Sequence, residues 1–144
     1  MEERVRSRAG ITIIDQLLAI ALLAVLLAIG MQGIGALRDR FAVRAAMRAV
    51  KDAVALAREH AAASGARAAV HFANRDARVV VHAGNDSLLV LSLSQAYGVS
   101  LQATRDSMAY LPSGLGFGAA NVSIALTRGR RQDTVTISRL GRVR

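Results

Sequence analysis

The chain has 144 residues, which is enough for one membrane segment and one small domain but not for two globular domains. It contains no cysteine, so disulfides, zinc–thiolate sites and cysteine nucleophiles are excluded. The net charge of +9 suits a polyanion, anionic lipid headgroups or an acidic partner, and it fits a solvated basic surface equally well.

An apolar segment near the N-terminus is the first predicted element. Leu17–Met31 contains no polar side chain, and Ile11–Ile14 and Gly33–Leu37 extend this run on both sides. As a helix, residues 11–37 would measure about 40 Å, against roughly 30 Å of hydrocarbon in a bilayer. We therefore expect a membrane-spanning helix over 11–37, with its N-terminus in the cytoplasm because basic residues precede it. A cleaved secretory signal is the competing interpretation, but its apolar core is shorter and is followed by a polar mature chain.

Asp15 is the carboxylate inside this apolar segment. An ionisable residue within a membrane segment is costly, which indicates a functional site with a specific partner. If the chain is cut after Gly10, Ile11 acquires a new α-amino group, and this amine on a neighbouring subunit can pair with Asp15. The alternative is that Asp15 lies at headgroup depth and stays hydrated.

The sequence becomes amphipathic beyond Leu37. Apolar residues recur at spacings of three and four from Val43 to Ala61, whereas charged residues occupy the other faces. Ser64-Gly65 is a suitable helix end, since glycine is the preferred residue just past a helix C-terminus. The pattern predicts one continuous helix from about residue 11 to 63, in which the amphipathic continuation, within 38–64, packs on a domain.

The remaining segment, 65–144, is expected to form a β-rich domain. Short runs rich in Val and Leu, separated by turn-forming sequences, predict strands. These runs are Ala68–Ala73, Ala77–Ala83, Leu88–Ser94, Val122–Thr127 and Thr134–Ser138. Leu111–Ala120 is expected to be a loop, and the segment 94–108 is undecided. A long helix packed on a small antiparallel sheet is an α+β fold.

No constellation of residues in the sequence supports catalysis. The three histidines, His60, His71 and His82, have no second ligand at metal-binding spacing, which favours incidental roles over a metal site. The glycines of Gly114–Gly118 lack the spacing of a phosphate-binding loop. We therefore expect a protein that is not an enzyme, with no cofactor, no metal and no catalytic residue.

The arginines near the C-terminus are the candidate binding residues. They are Arg128, Arg130 and Arg131, expected on a hairpin turn, and Arg139, Arg142 and Arg144, which follow the last strand. Guanidinium groups so placed can contact successive phosphates. No aromatic residue lies between them, so any DNA binding should be indifferent to sequence and sensitive to salt. The alternative is that these residues only close the sheet.

The N-terminal motif resembles a known leader. Arg6-Ser7-Arg8-Ala9-Gly10, followed by Ile11-Thr12-Ile13-Ile14-Asp15 and the apolar run, resembles the leader of type IV pilins and type II secretion pseudopilins. In that family a prepilin peptidase cuts after the glycine and N-methylates the new first residue. The resemblance implies a leader over 1–10, cleavage after Gly10, methylation of Ile11 and an assembly role for Asp15. Ile11 and Asp15 replace the phenylalanine and glutamate that are usual in the family.

The similarity extends over nearly the whole chain. Leu56–Ala61, Val70–Phe72, Tyr110–Gly114, Asn121–Ile124 and Val135–Arg144 resemble successive parts of the GspH/FimT group of minor pilins. The resemblance implies a minor pilin-like protein of the bacterial inner membrane, with a single membrane pass and a periplasmic domain over 65–144. Its implied partners are prepilin peptidase and the other pilins or pseudopilins of a type II secretion pseudopilus or type IV pilus.

Two alternatives stay open beside this interpretation. A G-R-x-R ending such as Gly141–Arg144 resembles the DNA-binding ending of minor pilins that serve DNA uptake, which implies DNA as a further partner. An unrelated single-pass anchor with a small β-rich domain is the other alternative. Processing by a prepilin peptidase would separate that anchor from the pilin-like proteins.

Overall fold

The computed structural model describes residues 12–117, 121–138 and 142, apart from the side chains at positions 31 and 32. The chain divides into two compact units, which are Met1–Gly35 and Ala36–Arg144. The expected leader over 1–10, with Gly10 as the cleavage site and Ile11 as the methylation site, lies outside the described residues. Arg139 and Arg144 lie outside them as well.

Helix α1 begins at Ile13 and ends at Ser64, so that it has 52 residues. Within the first unit its apolar side chains are exposed, for example Ile13 at 77% and Leu26 at 66%. Among the described residues, α1 is the helix whose length and composition would allow it to cross a membrane, and it lies near the N-terminus. An exposed apolar surface of this size requires lipid or other helices to cover it.

In the second unit, one face of α1 is buried in the domain core. The buried residues follow the expected spacing of three and four, and they are Val43, Ala46, Met47, Val50, Ala53, Val54, Ala57 and Ala61. They belong to the same core cluster as the inward-facing residues of the strands. Four of these eight side chains are alanine, which lets the helix backbone approach the sheets closely.

The C-terminus of α1 is capped where the sequence predicts it. The hydroxyl of Ser64 donates to the carbonyl of His60 at 2.7 Å and accepts from the backbone N–H of Ala66 at 3.3 Å. Gly65 has a φ of +65°, the left-handed conformation that glycine adopts without strain just past a helix end. The predicted helix end near residue 63 is confirmed.

The strands form two antiparallel sheets. The first has the order β3-β2-β1-β5-β6 and contains β1 (Ala68–Ala73), β2 (Arg78–Ala83), β3 (Asp86–Ser92), β5 (Ser107–Tyr110) and β6 (Gly116–Phe117). The second has the order β4-β7-β8 and contains β4 (Ser100–Ala103), β7 (Val122–Arg128) and β8 (Arg131–Ile137). A short helix, α2 (Leu93–Tyr97), joins β3 to β4. The expected α+β fold, with a long N-terminal helix and antiparallel β-structure, is confirmed.

The segment 94–108, which the sequence left undecided, carries the chain from the first sheet to the second and back to the first. It contains most of α2, whose C-cap Gly98 has the left-handed conformation, and then β4, which pairs with β7 through Ser100↔Thr127. The chain returns to the first sheet with β5, which pairs with β1. These strands have four residues each, too few for a clear alternation of apolar and polar side chains.

Turn geometry accounts for the shifted boundaries of β2 and β3. β2 begins one residue later than expected because Ala77 has a φ of +46° and belongs to the preceding turn. β3 begins at Asp86, two residues before the expected Leu88. Gly84, with a φ of +60°, allows a two-residue turn that pairs Ala83 with Asp86.

The hairpin between β7 and β8 is also tighter than expected. Gly129 has a φ of +56° and forms a two-residue turn, so Arg128 pairs directly with Arg131 and β8 begins three residues before Thr134. The expected loop Leu111–Ala120 contains the two-residue strand β6. The guanidinium of Arg67 stacks on the ring of Phe117 in β6, 4.1 Å from its centroid, and no sequence pattern indicated that contact.

Candidate functional site

Thr12 and Asp15 form a reciprocal cap at the N-terminus of α1. The backbone N–H of Asp15 donates to Oγ1 of Thr12 at 3.2 Å, while the backbone N–H and hydroxyl of Thr12 donate to Oδ2 of Asp15 at 3.1 and 2.7 Å. The carbonyl of Thr12 accepts from the N–H of Gln16 at 3.3 Å, so Thr12 is the N-cap residue. This is a capping box with aspartate in the position where glutamate is usual.

The Asp15 carboxylate therefore has a role within its own helix. An acidic side chain in the first turn is also stabilised by the partial positive charge of the helix N-terminus. Both hydrogen bonds from Thr12 reach Oδ2, and within residues 12–117 and 121–138 no donor contacts Oδ1. Sequence reasoning singled out Asp15 but did not identify Thr12 as its partner, although the spacing of three residues was the available signal.

Arg128 is bound within the domain. Its Nε donates to Oδ1 of Asp39 on α1 at 2.9 Å, and its Nη1 donates to the carbonyl of Tyr97 at the end of α2. The side chains of Arg128 and Asp39 are 27% and 29% exposed. Arg128 thus connects the β7–β8 hairpin to both helices, and two of its donors are not available to phosphate.

Two glycines make room for this ion pair. A Cβ on Gly129 would lie 2.6 Å from Oδ2 of Asp39, and a Cβ on Gly98 would lie 3.1 Å from Nη1 of Arg128. Both glycines also have positive φ, a conformation that larger residues rarely adopt. The backbone around the ion pair therefore accepts only glycine without strain.

The other described arginines of the predicted DNA-binding set fall into two places. Arg130 and Arg131 are exposed at the hairpin that begins β8. Arg142 is exposed beside Ser138: the Ser138 N–H donates to the Arg142 carbonyl at 2.9 Å, and the Arg142 N–H donates to Oγ of Ser138 at 3.1 Å. The seven residues of β8 separate these places by about 20 Å. The described arginines therefore do not form one cluster.

A groove lies between α1 and the turn that follows β5. Its volume is about 450 Å³, and Lys51, Arg58, Glu59 and Tyr110 are among its lining residues together with Pro112 and neighbouring apolar side chains. Tyr110 is fully buried, and its hydroxyl has no hydrogen-bond partner among the described residues. Burial raises the pKa of the Tyr110 phenol, and the nearby positive charge of Arg58 lowers it by a smaller amount.

The histidines show no arrangement for catalysis. His71 and His82 lie on the neighbouring strands β1 and β2 with their rings edge to face, 5.9 Å between centroids. In the described part of the chain, no group of three or more metal-binding side chains lies close enough to hold an ion.

The residues that sequence reasoning missed are Asp39, Tyr97, Gly129 and Tyr110. Asp39 is 89 residues away from Arg128 along the chain, so no local pattern connects them. Tyr97 accepts through its backbone carbonyl, so the identity of its side chain gives no sign of this contact. Tyr110 was named only as part of the segment Tyr110–Gly114, because the sequence does not show whether a hydroxyl is buried without a hydrogen-bond partner.

Comparisons with known proteins agree with this fold. A family model described as "Type II transport protein GspH" matches residues 46–141, more than half of the chain. No curated protein matches the chain in sequence.

Solved structures of a type IV minor pilin and of a minor pseudopilin resemble the chain. The type IV minor pilin FimU of Pseudomonas aeruginosa has a TM-score of 0.62 and 12% identity, over 74% of this chain and 89% of that one. The minor pseudopilin EpsH from the type 2 secretion system of Vibrio cholerae has a TM-score of 0.56 and 16% identity, over 71% of this chain and 94% of that one. At these identities the likeness shows a shared minor pilin fold.

Proposed function

The chain belongs to the GspH family of type II transport proteins, and on that basis we propose that it is a minor pilin or pseudopilin that prepilin peptidase processes after Gly10. The mature protein is a subunit of a type II secretion pseudopilus or a type IV pilus. The observation that carries this proposal is the family match over 46–141, which begins within α1 and follows the exposed apolar N-terminal part of that helix in the sequence.

The proposed organisation has four parts. A leader over 1–10 precedes a membrane-spanning and filament-core helix over 11–37. An amphipathic continuation over 38–64 leads into a periplasmic domain over 65–144. Two observations support this order: the apolar side chains of α1 are exposed up to Leu37, and from Val43 onward one face of the helix is buried in the domain core. The inner membrane holds the protein before assembly.

Asp15 is the proposed assembly residue. Cleavage after Gly10 leaves Thr12 and Asp15 in place, so the capping box is retained in the mature chain. With both Thr12 donors on Oδ2, the second carboxylate oxygen remains able to accept a hydrogen bond from the α-amino group of a neighbour's Ile11. In the low dielectric of a membrane or filament core, such an ion pair is worth more than in water.

Processing is the test of this proposal. The chain is co-expressed with a prepilin peptidase, and the N-terminus of the product is identified by mass spectrometry. We expect cleavage between Gly10 and Ile11, an added methyl group on Ile11, and an uncut Gly10→Ala variant. Gly30→Ala is the matched control, because a Cβ there meets nothing within 4 Å and the site lies beyond the leader. A mature product of normal size from Gly10→Ala would contradict the proposed leader.

DNA capture is the second candidate function, and it is compatible with the first. It is supported by the exposure of Arg130, Arg131 and Arg142 to solvent. Arg139 and Arg144 belong to the same basic end and lie outside the described residues. Arg128 is omitted from this proposed surface, because its side chain is bound to Asp39 and to the carbonyl of Tyr97.

The DNA test uses the full chain in neutral detergent and short labelled duplexes. If the surface is correct, replacing Arg130, Arg131 and Arg142 by glutamine reduces affinity and lowers the slope of log affinity against log salt by about 0.9 for each phosphate that is no longer neutralised. The matched control replaces three exposed arginines elsewhere, which are Arg75, Arg78 and Arg105. Equal losses in both variants, or no binding by the wild type at low salt, would exclude this surface.

A further inference from the structure

Five basic side chains lie along one side of the second part of α1. We refer to them as the helix strip, and they are Arg40, Arg44, Arg48, Lys51 and Arg58. Their spacings of four, four, three and seven residues keep them on the same side of a helix, over a length of about 27 Å. All five side chains are exposed. All five lie outside the apolar face of the helix.

The charge of the helix strip is not neutralised within the domain. The single ion pair between described residues is the one between Arg128 and Asp39. Asp52 and Glu59 lie on α1 next to the strip, but neither is within 4.0 Å of a basic group of the strip. Like charges four residues apart, as in Arg40 and Arg44, repel each other and destabilise a helix. An anionic partner would remove that repulsion.

The helix strip leads into the groove above Tyr110. Lys51 and Arg58 belong to both, and the apolar walls of the groove include Val54 and Pro112. The Arg58 side chain lies over the backbone of Gly114, where a Cβ would be 3.4 Å from its Nε. Next to Arg58, the buried hydroxyl of Tyr110 lacks a partner among the described residues. The groove thus offers the positive charges of Lys51 and Arg58 together with apolar walls. The Glu59 carboxylate also lines it, and the buried Tyr110 hydroxyl is closed to a ligand.

These features define the partner. A second copy of this chain would bring the same basic strip and a net charge of +9, so like-charge repulsion opposes self-association through this face. The apolar walls of the groove and the ring of Phe41, 59% exposed beside the strip, add contact area for apolar side chains. A phosphate backbone has no apolar group of that kind to place there. Acidic side chains with apolar ones between them satisfy all of these contacts.

We propose that the helix strip and the groove together bind an acidic, partly apolar polypeptide segment on a different subunit of the same filament. This inference rests on the proposed function, because it assumes that the chain assembles with other subunits. It assigns the sign of the charge on each side of one intersubunit contact: this chain contributes the basic helix surface, and its neighbour contributes the carboxylates.

The test uses the full chain in nanodiscs of zwitterionic lipid, so that no anionic headgroup competes. The probes are a labelled amphipathic peptide of glutamate, alanine and leucine, a polyglutamate peptide of equal charge, and a short labelled DNA duplex. Fluorescence anisotropy measures binding at moderate salt. We expect the amphipathic peptide to bind more tightly than polyglutamate, because only the former fills the apolar groove. Equal affinity for the two peptides, or tighter binding of the duplex through the helix strip, would overturn the proposal.

A matched pair of variants separates the helix strip from net charge. In one, Arg44, Arg48 and Lys51 become glutamine, which is expected to weaken peptide binding about tenfold, since three exposed ion pairs with the peptide are lost. In the other, the same change of charge is made at the exposed residues Arg75, Arg78 and Arg105, and affinity should change little. Equal losses would overturn the proposal.

Processing by prepilin peptidase is measured on the same two variants. We expect normal cleavage of both, because residues 44–51 lie far along the chain from the leader. A strip variant that is cleaved normally but shows no specific loss of peptide binding would overturn this inference alone. Failure of cleavage in the wild type would instead contradict the proposed function.

Discussion

Asp39 and Arg128 are 89 residues apart in the sequence, and Nε of Arg128 lies 2.9 Å from Oδ1 of Asp39. The same guanidinium also donates to the carbonyl of Tyr97, so one side chain joins α1, α2 and the β7–β8 hairpin. Because the pair is only partly buried, solvent weakens its electrostatic energy. Its stabilising effect comes mainly from two charge-assisted hydrogen bonds with fixed geometry.

Removal of this connection should destabilise the domain. We expect Arg128→Ala to lower the free energy of unfolding by about 1–2 kcal/mol, because it deletes two hydrogen bonds of a charged donor. Arg130→Ala, at the adjacent exposed turn position, should stay within about 0.5 kcal/mol of the wild type. Urea unfolding of the full chain in detergent, followed by circular dichroism, measures both. In a double-mutant cycle with Asp39→Ala, a coupling energy near zero would show that the pair adds no stability.

Two glycines with similar backbones should respond differently to alanine. Gly84 and Gly129 both have positive φ, so alanine is expected to cost about 1–2 kcal/mol of backbone strain at either position. At Gly84 a Cβ meets nothing within 4 Å, whereas at Gly129 it would lie 2.6 Å from Oδ2 of Asp39. Gly129→Ala must therefore displace Asp39 as well. Thermal unfolding should show a larger loss for Gly129→Ala, and equal losses would mean that Asp39 moves without cost.

The Tyr110 hydroxyl is expected to reduce stability. It is buried and without a hydrogen-bond partner among the described residues, and a buried polar group in that state costs about 1–3 kcal/mol. Tyr110→Phe keeps the ring in the core and removes the oxygen, so the free energy of unfolding at neutral pH should rise by about 1 kcal/mol. Tyr97→Phe is the control, since Tyr97 is only half-buried. A less stable Tyr110→Phe protein would show that the hydroxyl has a partner in solution.

The same residue gives the stability a dependence on alkaline pH. Burial raises the pKa of Tyr110 in the folded chain above its value in the unfolded chain, which is near 10. The neutral phenol is therefore favoured by folding, and its contribution is fully present below about pH 10 and is lost as the pH rises toward the folded-state pKa. We expect the unfolding free energy of the wild type to fall above pH 10 more steeply than that of Tyr110→Phe. Parallel pH profiles would contradict the assignment.

The parts of the fold that sequence could predict are those with local signals. The helix follows from the apolar spacing between Val43 and Ala61 and from the Ser64-Gly65 stop, all of which lie on one element. β1 and β7 follow from short apolar runs next to turn-forming sequences, and the structure buries alternate residues of both strands. Short elements such as β6 leave no such run, because two residues cannot form one. Their existence depends on contacts with distant strands.

The candidate site was harder to predict for the same physical reason. The six arginines near the C-terminus look alike in sequence, yet Arg128 has a carboxylate partner on α1 and Arg130 does not have one among the described residues. The helix strip was visible as separate charges on a helix, but its continuity with the groove depends on the position of Pro112 and Gly114. Partners that are contributed by distant segments cannot be read from local spacing.

The capping role of Asp15 and its proposed role in assembly can be separated by paired substitutions. Asp15→Asn keeps an oxygen that can accept from the Thr12 N–H, but it removes the charge that would pair with a neighbour's N-terminal amine. Thr12→Val removes the hydroxyl that completes the capping box and leaves the carboxylate unchanged. We expect Asp15→Asn to be processed normally and to lose incorporation into filaments, because the proposed intersubunit pair requires its charge. Thr12→Val should still assemble, with faster amide exchange in the first turn of α1, since an N-cap contributes about 1 kcal/mol. Filaments that contain Asp15→Asn at the wild-type level would restrict Asp15 to capping its own helix.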